Sequence, residues 1–506
     1  MYKENKTPLS DTNINTRLDI IRGLSNNIKP MIRFDDYGKE EFLLSKCICT
    51  RKHTVPTDKC YDIRCILNKK LMDIKQVVDS TQCKMVYLKS GATGHTFMGV
   101  SKLDKNIKYA IKVVAFQKKE KYGNVNDIRR PENAELLMIK VLSYFVINNH
   151  TPHIVLPIAT FNTSVTPFIE MHTNKLVSHK KYNSFVRKCN EGDYYEYVSI
   201  LLSEWANGGD LLDYIRKHYK SLTTMHWRVI FFQIISALSV IQEKYPAFRH
   251  NDLKANNILV HNITLQPELK ELATDYKYCI NGVKFTIPNM GFHLKIWDFD
   301  FASIDGLVDN TKVCAQWTDD INVSPVTNRY YDIHYFLNTL IRKEFCDFFF
   351  DKDAVPEEVK EFIFRIVPFK YREDVNTNIL LKWLKDVVPT HLKELEKTQE
   401  TKDKRTRYTY VKEFIKTIIP TPSIIGKEFT HFKDYLKKLI PEKNNSDKEY
   451  ALLGEFIDRI GTTNYSTAQP FKYVTDKGRI LVNDELTTPF KIITTDPFFA
   501  SFLKKK

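Results

Sequence analysis

No stretch of this 506-residue sequence holds the ~18–20 uninterrupted apolar residues that a membrane-spanning helix requires. The opening "MYKENKTPLSDTN" lacks the basic and then apolar run of a secretory signal, so a cytoplasmic setting is expected. No internal repeat and no long low-complexity tract is present, which argues against solenoids and arrays. Nine cysteines include no C-x-x-C pair. The nearest thing to a cluster is Cys47, Cys49, Cys60 and Cys65 with His53, whose C-x-C spacing is uncommon for structural zinc. Reduced thiols are the expectation there.

What is present is an ordinary globular composition, 43% hydrophobic and 27% charged, enough for one large core or two to three smaller ones. The formal net charge is +15, spread along the chain apart from "KDKRTR" (Lys402 to Arg407) and a terminal "KKK". Solvated faces with a general affinity for phosphate account for it more simply than a dedicated nucleic-acid surface, although acidic or nucleic-acid partners stay open.

Texture changes along the chain. Residues 1–83 read as an extension with short apolar patches such as "EEFLLS". Residues 84–204 are β-rich around one helix, "RRPENAELLMIKVLSYFVINN", with Pro131 in its first turn. A polar stretch from Asn162 to Asp193 reads as a surface insertion ahead of the strand-like "YEYVSILLSEW". From 205 to 340 the pattern is mostly helical. The clearest helix is "TTMHWRVIFFQIISALSVIQEKYP", capped by Thr223 or Thr224 and stopped by Pro246. Residues 341–506 continue the helical texture in "LLKWLKDVVPTHLKELEK" and "FKDYLKKLI". A β-rich section followed by a helical one predicts an α+β fold of two unequal lobes.

Several motifs carry chemistry. In "LKSGATGHTF", Gly91 and Gly94 lie between two strands, where bare backbone can approach phosphate, although turn glycines are common for structural reasons alone. In "YAIKVV", Lys112 sits within an apolar strand, a costly place for a charge unless it is paired or faces water from an edge. Glu135 is its best partner. Met138, Ile139 and Leu142 lie three, four and seven positions on and share its side of the helix, whereas Glu132 is the weaker choice. In "LLSEWANGGDLLDYI", Gly208 and Gly209 turn the chain into a helix that Asp210 can cap. "HNDLKANNILV" (His250 to Val260) gathers Asp252, Lys254 and Asn257 in one loop. An insertion over residues 261–290 separates it from "HLKIWDFDFAS", which holds Asp298. Asp332 follows in "RYYDIHYFLNTLI".

Residues 84–340 resemble the eukaryotic-type protein kinase domain, in the right motif order. The forms "HNDLKANNILV" and "WDFDFA" are similar to those of divergent serine/threonine kinases of large cytoplasmic DNA viruses, the poxvirus virion kinases among them. The resemblance implies a bilobal fold and transfer of the γ-phosphate of Mg-ATP to Ser/Thr hydroxyls of proteins, with a role in virion assembly and a location in host cytoplasm and virion. It implies that Asp252 is the base, Lys254 steadies the γ-phosphate, and Asn257 and Asp298 are Mg²⁺ ligands. Gly91, Gly94 and Lys112 would hold the phosphates, with Glu135 as the partner of Lys112. Backbone of the connection at Glu204, Trp205 and Ala206 would meet adenine, Asp210 the ribose, and a small Ser203 would leave space behind the base. Asp332 would accept hydrogen bonds from the catalytic loop, and His250 would pack rather than catalyse.

Three departures stand out. Asn251 replaces the arginine that reads an activating phosphate, so control by that ion pair is not expected. Asp300 replaces the glycine of D-F-G, adding a carboxylate and restricting the backbone. No A-P-E phrase occurs between Ser303 and Arg329. A small-molecule kinase of the choline-kinase type also carries "HND", but "GGDLLDYI" and Lys254 argue against it. An inactive pseudokinase scaffold is disfavoured by the full set of polar groups.

Overall fold

The computed structural model describes residues 14–28, 34–38, 62–372 and 474–503, save 92–93, 104, 106, 120–121, 174–176, 178, 264–274, 352 and 369–370. The cysteines at 47, 49 and 60, His53, the 402–407 basic run and the helices expected around 380–440 lie outside the described residues. Contacts divide the chain into two compact units. One runs to Phe362 and resumes at Asn483, and the other is Ile363–Val482.

In the first unit an antiparallel five-stranded sheet has the order β1-β2-β3-β5-β4. The strands are β1 (Cys83–Ser90), β2 (His95–Ser101), β3 (Lys108–Gln117), β4 (Pro157–Ser164) and β5 (Tyr194–Glu204). Helix α1 (Ile14–Asn26) packs on β4, and helix α2 (Pro131–Ile147) packs on β4, β5 and α1. Pro131 opens α2 at a position where a missing N–H costs nothing. Ala134, Met138, Leu142 and Phe145 of α2 are buried.

The polar stretch after β4 is less superficial than its composition predicts. It forms α3 (Thr166–Thr173) and α4 (Lys180–Asn190), and Phe168, Tyr182 and Phe185 are buried against the β1–β2 hairpin. The His95 ring lies 4.7 Å from Tyr182 and 4.6 Å from Phe185, and its Nδ1 bonds Ser90 Oγ at 2.8 Å. Enclosed this way, His95 is pushed down by burial to about 4 and stays neutral. The charged residues of α4 form its outer face, which is why the segment reads as surface.

The remainder of this unit is built around α6 (Thr224–Lys244), which follows α5 (Leu211–His218). Thr223 caps α6 by accepting from the His226 N–H, and Trp227, Ile230, Phe231, Ile234 and Leu238 are buried. Among the described residues α6 alone is long and apolar enough to cross a membrane, but 72% of its apolar window is buried inside the protein. Core packing accounts for its hydropathy. Two short antiparallel pairs, β6 (Phe248–Arg249) with β11 (Ser303–Ile304) and β7 (Ile258–Asn262) with β10 (Phe292–Ile296), frame the loops at 250–257 and 297–302. The insertion between β7 and β10 contributes a hairpin, β8 (Asp275–Ile280) and β9 (Val283–Pro288), whose Phe285 packs on Phe232. Helix α7 (Tyr331–Leu340) lies below the 250–257 loop. Farther on are α8 (Glu357–Ile366) and α9 (Pro489–Thr495), the latter packing on α6.

Candidate active site

Lys112 is the centre of charge. Its Nζ is 2.6 Å from Glu135 Oε1 and 2.6 Å from Asp298 Oδ1. It extends from β3, Glu135 from α2, and Asp298 from the turn after β10. Burial opposes the charge on Lys112, but the two carboxylates overcome it and hold the ammonium above its ordinary range. Burial pushes the Glu135 carboxyl up, to about 7, against the pull of Lys112. Burial also works to raise Asp298, but there the Lys112 ammonium prevails and holds the carboxyl low. Asp298 has φ 63, a left-handed conformation that asparagine and aspartate tolerate better than most residues. Glu132, the weaker candidate for Lys112, instead pairs with Arg130 at 3.0 Å.

The loop at 250–257 is pinned from below. Asp332 of α7 accepts from the backbone N–H groups of His250 at 2.7 Å and Asn251 at 2.9 Å. Within the loop, Asp252 Oδ2 accepts from Lys254 Nζ and from Asn257 Nδ2, both at 2.9 Å. Asn257 Nδ2 also donates to the Asp252 carbonyl at 2.9 Å, which fixes the amide plane and leaves Oδ1 as the atom suited to a cation. His250 Nε2 bonds the Trp297 carbonyl at 3.0 Å and Trp297 N–H donates to the Asn257 carbonyl at 3.2 Å. Those two bonds join the loop to the residue preceding Asp298. His250 thus serves as a structural tie.

Among the described residues no group of three or more His, Cys, Asp or Glu side chains forms a metal cage. In a magnesium-type site one or two protein oxygens share the ion with phosphates and water. Asn257 Oδ1 and the Asp298 carboxylate are oxygens of the kind that would hold such an ion.

The glycines divide. A Cβ on Gly94 would meet the Val113 carbonyl at 2.6 Å, so close approach of β3 demands glycine there. A Cβ on Gly91 would meet only the Gly94 carbonyl, at 3.5 Å, and the Gly91 N–H donates to that oxygen at 2.8 Å. Gly208 is required because Cβ would lie 2.8 Å from the Val260 carbonyl, and Gly209 has φ +74. Asp210 caps α5, accepting from the Asp213 N–H at 3.0 Å, and burial raises its carboxyl. Ser203 is buried opposite Ala110, and Ala206 is buried beyond it.

The Glu204 side chain has a structural task of its own. The carboxylate is buried and bonded to Arg17, Lys295 and the Leu156 N–H, so only its backbone can meet a ligand. Burial works to raise it, but Arg17 and Lys295 hold it down at about 2. Sequence reasoning passed over Lys295, although its setting in the apolar "HLKI" strand is the same signal that singled out Lys112. Asp300 is likewise not a free carboxylate. Lys312 pairs with it, and the Lys312 ammonium lies 3.8 Å from the centre of the Phe301 ring.

A buried lysine between helix and turn carboxylates, with an Asp-x-Lys-x-x-Asn loop tied to a buried aspartate beneath a five-stranded sheet, defines the class: a protein-kinase-type phosphotransferase. Residues 135–392 match the family model described as poxvirus serine/threonine protein kinase, and the chain belongs to that family. Protein R400 of Acanthamoeba polyphaga mimivirus, which carries the name of a serine/threonine-protein kinase, is 43% identical over 362 residues, 70% of this chain and 72% of that one. A second mimivirus protein named in the same way, R301, is 25% identical over 329 residues, 57% of this chain and 77% of its own. The serine/threonine-protein kinase tousled-like 2 of Xenopus tropicalis is 37% identical over a shorter stretch of 119 residues, 22% of this chain and 15% of that protein. The chain is a serine/threonine protein kinase of a family found in large DNA viruses, and that family implies ATP and protein substrates.

Proposed function

We propose that the enzyme transfers the γ-phosphate of Mg-ATP to serine and threonine hydroxyls of proteins, using a nucleotide site between a β-rich lobe and a helical lobe. The observation that carries this reading is the fastening of the Asp252–Lys254–Asn257 triangle to the Trp297–Asp298 turn. Asp252, with one oxygen held by Lys254 and Asn257, accepts the proton of the attacking hydroxyl. Lys254 meets the charge of the transferring phosphoryl group, and Lys112, oriented by Glu135, holds the α/β-phosphates. Asn257 and Asp298 hold Mg²⁺, which when bound neutralises charge on the phosphate oxygens. Gly91 and Gly94 shape the hairpin over the phosphates, backbone at Glu204 to Ala206 faces adenine, and Asp210 approaches the ribose. The viral relatives favour action in host cytoplasm and in virion assembly.

The test is transfer from radiolabelled ATP to a basic protein and, separately, to an amino alcohol, with wild type beside Asp252→Asn and Asp298→Ala. Protein labelling by wild type alone is expected. Labelling of the amino alcohol instead would make this a small-molecule kinase. Absence of labelling and of ATP binding would make it a scaffold, and an active Asp252→Asn variant would remove the base assignment.

A further inference from the structure

We propose that Arg17, on a helix far in sequence from every catalytic motif, is a positioning residue for the nucleotide. This rests on the reading that backbone at Glu204 to Ala206 receives adenine. Arg17 is 2% exposed, and its guanidinium is spent on Glu204 and the 152–154 backbone. Its Nε donates to Glu204 Oε2 at 2.8 Å, while Nη2 bonds Glu204 Oε1 and the Ile154 carbonyl. Nη1 donates to the Pro152 carbonyl at 2.6 Å. Glu204 Oε2 also accepts from Lys295 Nζ at 2.6 Å, and Oε1 from the Leu156 N–H at 2.8 Å.

With Lys295 joined through Glu204, three segments meet here, and they are those that lead to the reacting groups. Glu204 ends β5 and begins the adenine-facing connection. Lys295 lies on β10, three residues before Asp298. The 152–156 loop is laced to that strand by Val155 N–H to the Ile296 carbonyl at 3.1 Å and Ile296 N–H to the His153 carbonyl at 2.9 Å. One planar fork therefore sets the spacing between the adenine edge and the metal-bearing turn. Lysine supplies the charge but not the fork, so it cannot span all four acceptors. Helix α1 brings the arginine there by burying Leu18 and Ile21.

Full-length wild type, Arg17→Lys and Arg17→Met are compared by steady-state kinetics and by calorimetric titration with ATP. For Arg17→Lys, KM and Kd for ATP are expected to rise about tenfold while KM for the protein substrate stays put, because a displacement near 1 Å at a distance from the chemistry is costly. Arg17→Met is expected to be worse. Should Arg17→Met fail to fold, the lysine variant, which keeps the buried charge, carries the test. A folded Arg17→Lys enzyme with lowered Tm but unchanged KM and Kd for ATP would reduce Arg17 to a structural tie and overturn the proposal. Wild type that binds no ATP would instead overturn the nucleotide reading on which it rests.

Discussion

The side-chain amide of Asn251 donates to the Phe301 carbonyl at 3.0 Å, and to the Ser324 carbonyl at 3.2 Å. The residue that stands in place of a phosphate-reading arginine thus fastens both ends of the segment such an arginine would control. Arg249 adds bonds to Ser324 Oγ at 3.0 Å and to the Asn322 carbonyl at 2.6 Å, and Lys312 neutralises Asp300. Activity should therefore survive exhaustive phosphatase treatment, measured as the initial rate before and after. Asn251→Ala should lower kcat without changing the response to phosphatase. A rate abolished by dephosphorylation would show that a phosphate, not these bonds, orders the segment.

Replacing Lys112 by methionine should abolish phosphoryl transfer and leave two carboxylates without their cation. Removing one partner of a buried ion pair costs about 3–5 kcal/mol, so a clear drop in denaturant midpoint is expected. The double variant Lys112→Met/Glu135→Gln should recover part of that stability and none of the activity. A double variant whose loss equals the sum of the Lys112→Met and Glu135→Gln losses would mean the pair is not energetically coupled.

The two hairpin glycines should respond differently to alanine. Gly94→Ala forces a Cβ against the Val113 carbonyl and should destabilise the protein by roughly 1–3 kcal/mol. Gly91→Ala meets no such contact and should fold as wild type, with any effect confined to KM for ATP. Thermal denaturation with and without ATP separates the two outcomes.

Acid should weaken the fold in two stages. Burial holds His153 at about 3, against 6.5 ordinarily, so the unfolded chain takes up its proton first and stability declines as pH falls below 6.5. Glu204, at about 2 against 4.5, contributes stability that is complete above 4.5 and is lost from there toward 2. Glu204→Gln should flatten the lower stage, at a cost of about 3–5 kcal/mol near neutrality because Arg17 and Lys295 lose their counter-charge. A Tm profile of wild type and variant from pH 7 downward reads both stages.

The sequence was most legible where local spacing decides geometry. The choice of Glu135 over Glu132 followed from helical periodicity, while terminal preferences gave the proline-led start of α2 and narrowed the α6 cap to Thr223 or Thr224. Asp332 was placed against the loop by family resemblance alone, since 82 residues separate it from His250. Arg17 with Glu204 was not readable, since 187 residues separate them and neither carries a local signature. The cage around His95 was hidden for a related reason. The charged outer face of α4 masks its buried Tyr182 and Phe185, and nothing in the order of residues says which surface they cover.

The aromatic cluster under α6 has a consequence for biosynthesis. Phe498 stacks 4.5 Å from Phe362, and Phe499 and Phe502 lie 6.1 and 5.6 Å from Phe232, so the core beneath the catalytic loop is sealed by residues beyond 489. The chain leaves this unit at Phe362 and rejoins it at Asn483. Closing so long an excursion is slow, and a nascent chain that has passed residue 340 already carries every catalytic motif on an unsealed core. Sealing of that core thus waits until Phe498, Phe499 and Phe502 have been made, long after the catalytic loop has left the ribosome.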